Sequence, residues 1–355
     1  MLSTVITAAR SLVRRFAAPD GEEAVRVLGK EMRQELRRVT RRLEQLDEAQ
    51  RGVMELVRQV DRTSRQLKLA AVLNRRHQEE LGRLSGLLDE ARIDAHVRQA
   101  MAAAPMLSDP YEHVVVERVL PDDVYDLMVR AIPPPEFFDD RDLIKQNLVF
   151  PMEFGPALSI AAWEYMDTVI ARRVIRQAVL NKFQGPLQRH FATVFGPESV
   201  DRANELPQSA SGGRLMLRRP GYHLGPHRDP KRTMLTCLMY LARPGDSEAH
   251  GTQIFRVLDD NEASYKQTYY PEEEGRTCEL VKVVPFRPNT MLVSLNSSGA
   301  HGARIPADAP ADLERYTYQF YVAPLGEALS ALIKSLPPAR RARWQNKPAA
   351  RPEYA

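Results

Sequence analysis

From Gly21 to Arg98 the chain contains no proline, and Val25, Met32, Val39, Leu46, Val53, Val60 and Leu67 recur at every seventh position. Two turns of α-helix take about 7.2 residues, so an apolar side chain repeated at this interval stays on one side of a helix. No strand accommodates such a pattern. Leu36, Leu43, Val57 and Ala71 partly fill the companion positions, which Gly29, Gln50 and Ser64 weaken. Asn74 interrupts the series, and Leu81 and Leu88 resume it. The pattern predicts a helical coiled-coil region over residues 21–100, through which the chain associates into a homo-oligomer, a dimer or trimer. Asn74 is expected inside the seam, fixing its register. The alternative is a long helix folded back on its own chain or into a hairpin.

Few broad classes survive the composition. Lys and Arg total 50 against 46 Asp and Glu, a formal charge of +4 that is small for 355 residues, so a nucleic-acid partner is not expected. No apolar run approaches the ~20 residues of a membrane span. Cys237 and Cys278 make no disulfide framework, which fits a reducing interior and a cytoplasmic protein. Residues 1–20 mix apolar positions with Arg10, Arg14 and Arg15. A tail is expected there rather than a targeting or membrane-surface helix.

The chemistry concentrates in the second half. Residues 213–230 read GRLMLRRPGYHLGPHRDP. In an extended segment His227 and Asp229 point the same way, because side chains alternate with period two. An imidazole and a carboxylate so placed supply two of the three ligands of a facial triad that leaves positions open on Fe(II). Such a pair needs a distant third ligand, and His301 follows the apolar strand Met291–Leu295 and the loop Asn296-Ser297-Ser298-Gly299. The apolar run from Thr233 to Leu241 predicts a buried strand with Thr236, Leu238 and Tyr240 on one face. A further alternating strand, RYTYQFY from Arg315, sets Arg315, Thr317, Gln319 and Tyr321 on one face. A guanidinium forks two hydrogen bonds to a carboxylate, and a neighbouring hydroxyl adds a third. Arg304, expected in a loop near Gly302 and Pro306, is the rival anchor.

In the segments PGYHLGPHRD, TCLMYL, GTQIF, SSGAH and RYTYQFY, and in their order, the sequence resembles the Fe(II)/2-oxoglutarate-dependent dioxygenases, specifically their prolyl-hydroxylase-like branch. The resemblance covers roughly residues 105–325. It implies an α+β fold: a double-stranded β-helix, or jelly roll, with supporting helices, preceded here by the long coiled-coil segment. It implies His227, Asp229 and His301 as iron ligands and as the catalytic centre. Arg315 would anchor 2-oxoglutarate, with Tyr240 and Thr317 beside it. Fe(II) is the implied cofactor, 2-oxoglutarate the cosubstrate, and ascorbate a further expected cofactor. The implied activity is hydroxylation of an unactivated C–H bond with release of succinate and CO2. The substrate, a small molecule or a protein side chain, is not readable from the sequence. Three departures from the family pattern stand out. The loop from His301 to Arg315 is long. His250-Gly251 replaces a Gly-Gly pair, which brings His250 towards the site. Arg218-Arg219 stands where the family often has a tyrosine before the Pro-Gly turn.

The remaining segments fit around this domain. Residues 102–110 read as a linker, Val114–Val116 as a strand, Pro121–Ile132 as a helix, and Ser159–Phe195 as helix broken near Gly185-Pro186. The loop 133–151, with Phe137, Phe138, Asp139, Asp140 and Arg141, reads equally as a substrate lid or as a packed surface loop. Residues 259–277 are an insertion between strands. The expected organisation is a tail at 1–20, the helical region at 21–100, the jelly-roll domain at 105–330 and a disordered basic tail at 335–355. A non-catalytic jelly-roll binding module and a coiled-coil scaffold are the competing functions. The first would carry a damaged triad or anchor, and the sequence shows neither.

Overall fold

The structure is a computed structural model that describes residues 21–139 and 142–345, with side chains from residue 26 onward. The expected tail at 1–20, the loop residues Asp140 and Arg141, and residues 346–355 of the expected C-terminal tail lie outside the described residues. The chain divides into two compact units, residues 1–65 and 66–355.

The described part of the first unit is one continuous helix belonging to α1 (Gly21–Arg76). Its periodic residues are open to solvent: Met32, Leu36, Val39, Leu43, Leu46, Val53, Val57 and Val60 are each more than half exposed. Ion pairs at helical spacing, such as Arg51–Asp47 at 2.9 Å and Arg65–Asp61 at 2.8 Å, flank the stripe. Exposed pairs of this kind each contribute only about 0.3–0.5 kcal/mol, so they do not account for so long a helix.

Beyond residue 65 the structure departs from the heptad expectation. Asn74 is exposed, and its side-chain oxygen accepts the Ala157 N–H at 2.7 Å, capping a helix elsewhere in the second unit. The helix breaks at His77 and again at Leu88, separating α2 (Gln78–Leu87) and α3 (Glu90–Ala103). Leu81 and Leu88 pack on the main core, and Ile93, Val97 and Met101 of α3 are buried in it. A seven-residue interval therefore spans two different environments along this stretch, solvent up to Leu67 and the main core from Leu81 onward. Asp89 caps α3 by accepting the Arg92 N–H at 3.0 Å, a local stop-and-start signal the periodicity does not register.

The core of the second unit is a pair of antiparallel sheets. Strand β1 (His113–Glu117) and helix α4 (Asp122–Arg130) lead to β2 (Lys145–Val149). A helical layer follows: α5 (Ala157–Tyr165), a π-helical stretch (Met166–Ile175), α6 (Arg176–Lys182), α7 (Gln184–Phe195) and the short α8 (Val200–Asn204). The break expected at Gly185-Pro186 falls at Phe183, and Pro186 sits in the first turn of α7, where a missing N–H costs nothing. Eight strands then run β3 (Gln208–Arg218), β4 (His223–His227), β5 (Leu235–Tyr240), β6 (Thr252–Val257), β7 (Cys278–Val284), β8 (Thr290–Leu295), β9 (Ala300–Arg304) and β10 (Arg315–Pro324). The larger sheet has the order β1-β8-β5-β10-β3-β2 and the smaller β4-β9-β6-β7. Only the hairpin β6–β7 stays within one sheet; every other step from β3 to β10 crosses to the opposite sheet. That winding defines a jelly roll, so the molecule is a mixed helix and antiparallel-sheet protein.

The alternation of β10 shows why the layers stack this way. Tyr316, Tyr318, Phe320 and Val322 face the helical layer and join its core, whereas Arg315, Thr317, Gln319 and Tyr321 face the interior of the roll. A smaller cluster of Tyr111, Tyr240, Ala242, Ile254, Val284, Phe286 and Leu292 fills the roll. Gly251, at the start of β6, has no room for a side chain: a Cβ there would sit 1.8 Å from the Val284 carbonyl oxygen.

One pair of surface alternatives is decided and one surface expectation is corrected. Phe137 and Phe138 are 7% and 1% exposed, so the loop before β2 is packed and carries no exposed aromatic lid. The C-terminal segment is structured to Gln345: α9 (Gly326–Ser335) and α10 (Pro338–Ala342) are followed by Trp344, which is 6% exposed. Trp344 stacks on Phe195 at 5.1 Å and meets Tyr265 edge-on at 5.4 Å. A Pro/Arg-rich composition hid one large aromatic anchor. Trp344→Ala should lower the unfolding free energy of the full chain by about 3 kcal/mol, by loss of buried area and of both ring contacts. Urea unfolding measures this, and an unchanged midpoint would show that the segment is held by something else.

Candidate metal and anion site

Three elements bring the expected ligands together. His227 ends β4 and is the cross-strand partner of His301 on β9, while His301 also pairs with Ile254 of β6. Asp229 lies two residues past His227 in the turn towards β5. One ligand atom from each of His227, Asp229 and His301 lies within 4.8 Å of the others. The imidazole rings are 4.3 Å apart between centroids, and His301 Nε2 is 3.8 Å from Asp229 Oδ2. All three are largely withdrawn from water. Burial, then the neighbouring His227, holds the His301 imidazole well below its ordinary range, at about 4. It therefore stands neutral at physiological pH, the state in which a ring nitrogen donates a lone pair to a metal.

The surroundings orient each donor. His227 Nδ1 faces the Gly225 carbonyl at 3.0 Å, which assigns the proton to Nδ1 and leaves the Nε2 lone pair free. Thr236 Oγ1 donates to Asp229 Oδ2 at 2.8 Å, and Asn296 Nδ2 donates to Thr236 Oγ1 at 3.2 Å. The sequence places Thr236 on the correct face of β5 without revealing this role. Asn296 is legible only as a loop residue.

Arg228 points away from its neighbours and locks the turn from behind. Its Nε donates to the Gly299 carbonyl at 2.9 Å, its Nη1 to Glu262 at 2.8 Å, and its Nη2 to Asp260. Lys231 pairs with the same Glu262 at 3.1 Å. The insertion at 259–277 thereby clamps the turn that carries His227 and Asp229, with Glu262, Ser264 and Tyr269 buried. Tyr270, from the same insertion, lies over the His227 ring at 5.9 Å and is 36% exposed, so it forms the rim of the site. Gly299, in the left-handed region at φ 61°, is obligatory: a Cβ there would meet Tyr111 at 2.4 Å and the Phe255 carbonyl at 2.8 Å.

Deeper in the roll stands the expected anion anchor. Arg315 is 4% exposed, with its guanidinium carbon 4.7 Å from the Phe286 ring centre and 5.8 Å from that of Tyr240. Its Nε donates to the His250 carbonyl, so His250 does approach the site, but through its backbone. Arg315 Nη2 and the Thr317 hydroxyl are both buried without a hydrogen-bond partner among the described residues. A buried donor left unmade costs about 1–3 kcal/mol, more for a charged group, so two together point to a ligand with acceptor oxygens. Tyr240, the cross-strand partner of Thr317, directs its hydroxyl to Thr252 Oγ1 at 2.7 Å. It supports the pocket wall, and its proton goes to Thr252. Arg304 ends strand β9, not a loop as expected, and is exposed.

No protein-family model and no curated protein matches this sequence. Among solved structures, the chain is similar to a prolyl-4-hydroxylase from Pseudomonas putida, at 18% identity over 66% of this chain and 100% of the other, with a TM-score of 0.36. It is also similar to SnoK, a non-heme alpha-ketoglutarate-dependent carbocyclase from nogalamycin biosynthesis (11% identity, 59% and 78% coverage, TM-score 0.34). A 2OG-Fe(II) oxygenase family oxidoreductase from Burkholderia pseudomallei is a third (10%, 65% and 89%, TM-score 0.32).

Proposed function

We propose that this chain is an Fe(II)- and 2-oxoglutarate-dependent oxygenase that hydroxylates an unactivated C–H bond and releases succinate and CO2. The carrying observation is the convergence of one ligand atom each from His227, Asp229 and His301 within 4.8 Å inside a jelly roll. Two imidazoles and one carboxylate are the donor set that suits non-heme iron and leaves coordination positions open. Arg315 Nη2 and Thr317 Oγ1 add a second, independent fit, since both lack partners where the distal carboxylate of a 2-oxo diacid would end. Bound iron, with 2-oxoglutarate and O2, supplies the oxidising chemistry. The protein's own part is to hold His227 in its Nδ1–H tautomer, to orient Asp229 through Thr236, to take up the diacid's charge at Arg315, and to exclude water with Tyr240 and Phe286. The substrate, a small molecule or a protein side chain, enters past Tyr270.

Incubation with Fe(II), ascorbate, 2-oxoglutarate and a cell extract tests this reading. Succinate should appear together with a product that has gained one oxygen. No succinate above a metal-free control would remove the proposal.

The exposed stripe of α1 supports a homo-oligomer joined through residues 21–65. Burying one Leu or Val is worth roughly 1.5–3 kcal/mol, so a stripe of this length can outweigh the cost of association. Light scattering at micromolar concentration should give a dimer or trimer of the 40.3 kDa chain. The double variant Leu43→Glu, Val57→Glu should run as a monomer. A monomeric wild type would contradict the interface. Among the described residues no helix is long and apolar enough to cross a membrane. With Cys237 and Cys278 both free, a reducing cytoplasm is the compartment we propose.

A further inference from the structure

Arg218 of β3 is the direct cross-strand partner of Arg315 of β10, and on its other side it partners Lys145 of β2. Side chains directly opposite on paired strands project from the same face of the sheet, and like charges so placed repel. Arg218 is 3% exposed and Arg315 4%. Neither makes an ion pair among the described residues. Arg218 donates to the carbonyls of Gln146 at 2.7 Å and Leu217 at 2.9 Å and to Asn147 Oδ1 at 3.0 Å, all neutral acceptors. Asp139, a carboxylate that acts on it electrostatically, accepts the Asn147 N–H at 2.9 Å. Burial lowers the pKa of both guanidinium groups; Arg218 acts electrostatically on Arg315, and Tyr222 acts on both. Arg218 Nε, like Arg315 Nη2 and Thr317 Oγ1, is buried without a hydrogen-bond partner.

Two adjacent buried cations, each with an unmade donor and no paired carboxylate among the described residues, describe a pocket built for more negative charge than one arginine requires. We infer that Arg218 is a second guanidinium of the anion pocket, so that the distal carboxylate of the 2-oxo diacid is held between Arg218 and Arg315. This rests on the 2-oxoglutarate reading above and assigns a role to a residue at a departure from the family pattern. Tyr222, with the Arg218 guanidinium carbon 5.1 Å above its ring centre, fixes that group's plane.

The test is calorimetric titration of the full chain loaded with Mn(II), which binds the same donors without turnover. Two ligands are compared: 2-oxoglutarate, and 2-oxobutyrate, which keeps the chelating end and lacks the distal carboxylate. Arg218→Gln should weaken 2-oxoglutarate roughly tenfold or more, the equivalent of losing a charge-assisted hydrogen bond, and should leave 2-oxobutyrate unchanged. Arg218→Lys, which keeps the charge, should lose less than Arg218→Gln. Unchanged 2-oxoglutarate affinity in Arg218→Gln would overturn the inference while leaving the oxygenase reading intact. Equal weakening of both ligands would reduce Arg218 to a structural residue and also overturn it. A wild-type chain that binds neither ligand would overturn both proposals together.

Discussion

Asp229→Ala is expected to lower metal-dependent 2-oxoglutarate turnover by roughly a thousandfold or more, and His227→Ala and His301→Ala by a similar factor. The magnitude follows from hierarchy: partners that merely orient a ligand typically cost 10–100-fold when removed, and a ligand itself costs more. Thr236 provides the internal scale, because its hydroxyl donates to Asp229 Oδ2 at 2.8 Å without being a ligand. Thr236→Val keeps the shape and removes the hydrogen bond, so it should fall between wild type and Asp229→Ala. Succinate formation at saturating Fe(II) measures all four variants. Full turnover in any of the three ligand variants would remove that residue from the site. Losses in Thr236→Val as large as in Asp229→Ala would mean that the threonine acts through folding.

Arg315→Ala should raise the apparent KM for 2-oxoglutarate by about a hundredfold, within the cost of truncating one partner of a buried charge pair. Arg304→Ala should leave it nearly unchanged. The two residues differ in environment: Arg315 is 4% exposed with a partnerless Nη2, whereas Arg304 is exposed at the end of β9. KM against kcat separates binding from collapse of the pocket. A rise in KM at near-constant kcat marks an anchor, and a loss of kcat alone would mark a wall residue. The reverse ranking of the two arginines would hand the role to Arg304.

What the sequence revealed and what it concealed divide along physical lines. Period-two alternation put Arg315, Thr317, Gln319 and Tyr321 on one face, and β10 has that arrangement because its other face must pack Tyr316, Tyr318 and Phe320 against the helices. The His-x-Asp spacing and the distant His301 were equally legible, since antiparallel pairing of β4 with β9 makes His227 and His301 neighbours. Partner identity was not legible. Leu67 and Leu81 keep the same seven-residue phase, yet Leu67 is 55% exposed and Leu81 packs on the domain core. Periodicity specifies a stripe and says nothing about what covers it. Asn74 looked like a register-setting polar residue and instead caps a helix 83 positions away. The clamp of Arg228 and Lys231 on Glu262 ties the turn to a distant insertion whose composition does not announce the contact. Arg218 gave only a mismatch with the family pattern; its pairing with Arg315 required the register.

We propose that His227, Asp229 and His301 form a metal site on which 2-oxoglutarate binding depends. Anaerobic equilibrium dialysis of the full chain against Fe(II), with and without radiolabelled 2-oxoglutarate, tests it most directly. One Fe(II) and one 2-oxoglutarate per chain are expected, with 2-oxoglutarate retained only when the metal is present and both lost in Asp229→Ala. Iron retained equally by Asp229→Ala, or 2-oxoglutarate retained equally without metal, would contradict it.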